Sequence, residues 1–135
     1  MNELISRLMA IRDMARDLHY EVSGDAFYSK HVLAERIFDP IDDYLDTIKE
    51  ACLLGQWPEG ERPKKTSEYE YFSQKSYSTS NTNSSFRTLQ SLIEATLTHI
   101  EEMKGLTRGE ENIVGSVAEH LQRMNGLLNL QNIEK

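Results

Sequence analysis

The stretch LHYEVSGDAFYSKH, residues 18–31, decides the fold, because a short break sits in it between two runs of helical periodicity. Ahead of the break, Leu4, Ile5, Leu8, Ile11, Ala15, Leu18 and Val22 recur mostly at spacings of three and four, which marks the apolar face of an amphipathic helix over about residues 3–22. Ser23-Gly24-Asp25 ends that helix: Gly24 suits a helix end and Asp25 suits the cap of the next helix. A second helix follows over about residues 26–54, with Ile37, Ile41, Leu45, Ile48 and Cys52 as its stripe and Gly55 as its stop. A turn this short makes the two helices antiparallel neighbours, so His19 and His31, six residues either side of Asp25, fall opposite each other.

Pro40 lies inside the second helix, where a missing donor and a ring clash typically cost roughly 3 kcal/mol. The apolar spacing runs on through it, which predicts one kinked helix rather than two separate ones.

Residues 56–85, QWPEGERPKKTSEYEYFSQKSYSTSNTNSS, hold the remaining prolines and dense Ser, Thr and Asn, the composition of a long connection. Ser67 followed by Glu70 caps a short helix within it. A third helix is expected over about residues 86–104, with Phe86, Leu89, Ile93, Leu97 and Ile100 on one face and Gly105 after it. Thr107 and Glu110 form a capping box for a fourth helix over about residues 108–131, whose stripe is Ile113, Val114, Val117, Leu121, Met124 and Leu128. The reading is all-α: one domain over residues 1–135, a four-helix bundle with a long crossover between its second and third helices, which is the ferritin-like arrangement. The crossover lets those two helices run parallel.

Composition narrows the function classes. A chain of 135 residues with 39% hydrophobic side chains has room for one core. Fifteen Lys and Arg against 22 Asp and Glu give a formal charge of -7, which repels polyphosphates and offers oxygen ligands to cations. Cys52 is the single cysteine, so neither an intrachain disulfide nor a thiolate metal cluster forms within one chain, and a reducing, cytoplasmic setting fits best. The first twenty residues interrupt their apolar positions with charges, unlike a signal peptide or a membrane span.

Placed on these helices, His19, His31, Asp46 and Glu50 stand out. Asp46 and Glu50 are four apart and share a helix face. The fifteen residues between His31 and Asp46 span about 22 Å of helix, so the histidines and the carboxylates cannot meet within one chain. A second copy, packed antiparallel across a two-fold axis, brings the histidines of one chain to the carboxylates of the other. Mixed imidazole and carboxylate ligands suit divalent iron, and Glu35, one turn after His31, is a candidate for a second-iron ligand or for ordering a bound water.

The runs LHYEVSGDAFYSKH and DTIKEACLLG together resemble the ferroxidase signature of the Dps family (DNA-binding protein from starved cells): His, an aromatic, Gly, Phe, His, and later Asp-x-Ile-x-Glu ending in Leu-Gly. Weaker similarity extends through SLIEATLTHIEE and RGEENIVGSVAEHLQRMNGLL. The resemblance implies a dodecameric shell built from two-fold dimers and ferroxidase centres facing its cavity. It also implies Fe(II) oxidation, usually by hydrogen peroxide, storage as Fe(III) mineral, and protection against oxidative stress. Carried over by position, His19 and His31 come from one subunit and Asp46 and Glu50 from its partner, while Glu110 and Glu111 fall near the family's ion-entry pore. Two features depart from the pattern: Tyr20 stands where Trp is usual, and the lysine-rich tail that many members use on DNA does not appear, so direct nucleic-acid binding is not expected.

His99 and His120 lack partners at metal spacing and read as surface or satisfied core residues. Tyr69, Tyr71, Phe72, Tyr77 and Trp57 read as packing, and Lys64-Lys65 is too short for a nucleic-acid patch. Two rivals accompany the ferroxidase reading. One is a non-enzymatic helical bundle with vestigial or zinc-binding sites; the other is a nucleoid-binding shell whose patch forms only on assembly.

Overall fold

The computed structural model describes residues 1–54 and 82–132. Within them α1 spans Asn2–Glu21, α2 Phe27–Phe38, α3 Ile41–Ile48, α4 Thr82–Glu102 and α5 Arg108–Gln131, with a π-helical turn over Lys49–Leu53 following α3. The stripes read from the sequence are the core. Leu4, Leu8, Ile11, Leu18, Ile37, Ile41, Ile48, Phe86, Leu89, Ile93, Leu121 and Leu128 are all fully buried, with Leu97 and Ile113 half-buried at the edge. Burying one such side chain contributes about 1.5–3 kcal/mol, so these stripes outweigh any surface pair in setting the packing.

Contacts at matched depths give the directions of the four arms. Glu3 meets His99, Arg12 meets Asp42, His19 meets His31, Gln90 meets Asn125, and Ile37 meets His120. Arg12–Asp42 and His19–His31 run in opposite senses, so α1 is antiparallel to α2–α3. His120 lies beside Ile37 while Leu127 and Leu130 line a groove with Val32 and Leu33, so α5 is antiparallel to α2–α3. Val114 lines a groove with Ile100 while Asn125 meets Gln90, so α5 is antiparallel to α4, which makes α1 antiparallel to α4 as well. It follows that α2–α3 and α4 run in the same direction, as a long crossover between them requires. No helix among the described residues is long and apolar enough to cross a membrane.

Several boundaries differ from the sequence reading. The second helix is divided: α2 ends at Phe38 and α3 starts at Ile41, because Pro40 has no N–H to give the Arg36 carbonyl. Asp39 and Pro40 keep right-handed helical dihedrals, so the path continues across the break. The α2 cap is Ala26, in the left-handed region at φ 59, and not Asp25; Gly24 takes φ 75 just before it. The third helix begins at Thr82, four residues earlier than expected, and Ser85 and Phe86 there are wholly buried. Burial of Ser85 and Phe86 overrides a Ser- and Asn-rich composition that argues for loop. The short helix expected after Ser67, the aromatic residues of the crossover and Trp57 lie outside the described residues. The α5 bounds agree with expectation, and its capping box is complete: Glu110 N–H donates to Thr107 Oγ1 at 3.1 Å and Thr107 N–H to Glu110 Oε1 at 3.0 Å.

Candidate metal centre

The turn at residues 22–26 returns the chain so that α2 lies against the last turns of α1, and the two histidines interlock there. His19 Nδ1 lies 2.9 Å from the His31 carbonyl, and His31 Nδ1 lies 2.7 Å from the His19 carbonyl. A carbonyl can only accept, so each ring is the Nδ1–H tautomer and donates. The local reason is at the helix end. His19 is in the last turn of α1, where carbonyls lack an intrahelical donor, and the His31 ring supplies one. The consequence is chemical: with Nδ1 protonated, each neutral ring keeps its lone pair on Nε2, the form in which imidazole binds a metal, and a carbonyl partner on Nδ1–H fixes that form.

Aromatic rings hold the pair in place. The imidazoles stack at 3.7 Å between centroids and 18° between planes. Phe27, one turn before His31, stacks on that ring at 5.2 Å, and Phe38 meets His19 edge-on at 5.4 Å. Tyr20 packs edge-on to His19 at 5.2 Å while remaining largely exposed. Arg16 lies over the Phe38 ring, its guanidinium carbon 5.2 Å from the centroid. Phe38 and Arg16 were not singled out from the sequence; the signal for Phe38 is its place one heptad after His31.

Asp46 on α3 and Glu50 in the π turn are both exposed, while Leu45, Ile48 and Cys52 point into the core. The turn widens the helix at the residue after Ile48; π turns of this kind are frequent at functional sites. Glu35 is exposed on α2, one turn beyond His31. Asp42, one turn before Asp46, ties α3 to α1 by accepting from Arg12 at 2.9 Å and Arg16 at 3.4 Å. Desolvation disfavours the Arg12 charge, but hydrogen bonds and charge from Asp42 and Asp13 outweigh it and raise the pKa. Cys52 is buried, and desolvation followed by the charge of Glu110 pushes its thiol up, so it stays protonated and unreactive at neutral pH.

Among the described residues, no group of three or more His, Cys, Asp and Glu in one chain is placed to hold a metal. The structure brings His19 and His31 together and does not bring them to Asp46 and Glu50, as the length argument requires. The other two histidines serve the core. His120 is buried and donates Nε2–H to the Ile37 carbonyl at 3.1 Å, beside the break at Pro40, and burial lowers its pKa. His99 sits 2.8 Å from Glu3 at the far end of α1. Compared with family models, curated proteins and solved structures, the chain has no match.

Proposed function

We propose that this protein is a Dps-type ferroxidase, a ferritin-like mini-ferritin subunit that binds Fe(II) at a site shared between two copies. His19 and His31 come from one copy, Asp46 and Glu50 from the other, with Glu35 beside them. The observation that carries the reading is the reciprocal histidine pair: both rings are fixed by backbone carbonyls in the tautomer that leaves Nε2 to a metal. Fifteen residues down the same arm, two exposed carboxylates have no intrachain partner among the described residues. Two imidazoles and two carboxylates suit iron and leave coordination positions for an oxidant.

With hydrogen peroxide the reaction balances simply. Two Fe(II) ions give one electron each, the O–O bond breaks, two protons are taken up, and two waters leave with two Fe(III). The chain's part is to bind and orient the ions and to spread their charge over the carboxylates. In the shell that the family resemblance implies, Fe(III) mineral collects in the cavity, and peroxide is consumed without releasing hydroxyl radical.

Fe(II) oxidation by peroxide should run well above the buffer rate, and His31→Ala and Asp46→Ala should each remove the excess. Co-expressing the two variants provides the decisive test. Random pairing completes about a quarter of the sites in trans, so about a quarter of the rate returns. No return of activity rejects a shared site, and no excess rate in the unmodified protein rejects the ferroxidase. Zinc binding without turnover would favour the non-enzymatic bundle.

A further inference from the structure

The outer face of α2 and α3 is covered by no other arm among the described residues. It carries Tyr28, Val32, Glu35, Asp39, Asp43, Asp46 and Glu50, all exposed, at spacings of three and four opposite the core stripe. Its two halves differ. Tyr28 and Val32, 74% and 38% exposed, lie on the first half with Glu35 and with Arg36 and His31 at its flanks, whereas the second half is wholly acidic. Asp42 beside it is held by Arg12 and Arg16, but Asp39, Asp43, Asp46 and Glu50 form no ion pair among the described residues.

Laying a second copy antiparallel on this face, with His31 opposite residue 48, midway between Asp46 and Glu50, fixes the remaining register. Arg36 then faces Asp43, Val32 faces Thr47, and the two-fold axis passes between Asp39 and Pro40. The helix break therefore falls on the axis, where both copies bend alike. The half that carries Tyr28, Val32 and Arg36 meets the acidic half of the other copy, whereas a parallel register would lay acidic half on acidic half, which selects the antiparallel one. The same register brings Asp39 of each copy to the axis and gathers ten carboxylates from the two faces, counting Glu35, Asp39, Asp43, Asp46 and Glu50 in each. Arg36 offsets one of the five per copy, and a bound divalent cation between His31 and the partner's carboxylates offsets two more.

We infer that two copies join along this face in response to the divalent cation itself, so that the substrate assembles its own site. This rests on the shared-site reading above. By linkage, two sites filled at about ten times their dissociation constant raise the dimer association constant about a hundredfold.

The test is the particle mass by light scattering at low micromolar chain, with chelator or with Co(II), a redox-inert probe for the same ligands. The expected result is a monomer with chelator, a dimer or an even multiple with Co(II), and reversal on chelation. Asp39→Asn lies outside the ligand set and removes the like-charge contact at the axis, so it should raise metal-free association severalfold. An assembly of equal mass with and without Co(II), still binding the ion by calorimetry, overturns the linkage and leaves the shared site standing. Metal-free association that Asp39→Asn does not change also overturns the linkage. Calorimetry that finds no Co(II) bound to the unmodified chain overturns the shared site, and the linkage with it.

Discussion

Glu3 and His99 join the first turn of α1 to the last turn of α4, with Nδ1 of His99 2.8 Å from Oε2 of Glu3 and Nε2 of His99 buried without a hydrogen-bond partner among the described residues. Desolvation is the main reason that the His99 pKa is lowered; Glu3 pulls it back up, while Arg7 and the amino terminus push it down. The neutral ring donates Nδ1–H to Glu3. Protonation would place a second N–H at a buried position with no acceptor.

Stability should therefore fall as the solution is acidified. A folded-state pKa below the unfolded value of about 6.5 means that the unfolded chain takes up the proton first, so the contribution is complete above that value and is lost as pH falls below it. His120 acts in the same direction, its pKa lowered by burial. Urea denaturation at pH 7.5 and about pH 5 should show the loss, and His99→Gln should reduce it. An unchanged pH dependence in that variant would contradict this account of the burial.

His31→Asn should separate structure from metal binding. Asn Nδ2 takes the place of the ring Nδ1 and keeps a donor for the His19 carbonyl, but nothing takes the place of Nε2. Thermal stability should exceed that of His31→Ala by about 1 kcal/mol, the net worth of one hydrogen bond. Cobalt or ferrous binding should be lost equally in both variants. If the Asn variant retains the metal, the Nε2 assignment is wrong.

Asp42→Asn addresses the ion network between α1 and α3. The carboxylate is 57% exposed, and screened surface pairs contribute about 0–1 kcal/mol, so the loss of stability should stay below about 1 kcal/mol and shrink further in high salt. A larger cost in a salt titration of the unfolding midpoint would mean that this network positions α3 more strongly than its exposure allows.

Thr107→Ala should destabilise the chain by about 1 kcal/mol by removing the α5 cap. Since Glu110 completes the same box, the double variant with Glu110→Ala should cost less than the two single losses together. Strict additivity in the double-mutant cycle would show that the two bonds act separately.

Local chemistry made much of the architecture readable. The α5 bounds followed from Thr107 and Glu110, whose reciprocal bonds need only residues three apart. The α1 stripe and the antiparallel return at Gly24 needed only periodicity and a residue tolerant of positive φ. Other boundaries were not local. Asp25 has the right chemistry for a cap, but the chain turns through a left-handed Ala26 instead. Thr82 to Ser85 are helical although their composition argues otherwise, and the burial of Ser85 and Phe86 decides this.

For the candidate centre, the sequence by itself determined that His19 and His31 oppose each other and that the length of one helical arm keeps them from Asp46 and Glu50, because helical rise and a short turn are fixed by the backbone. Only the tertiary structure decided the protonation pattern. The His19 carbonyl lacks a donor because α1 ends two residues later, and the His31 ring reaches it because α2 packs at that depth. A tautomer depends on which group lies 3 Å away in space, and neighbours in space are set by packing between elements.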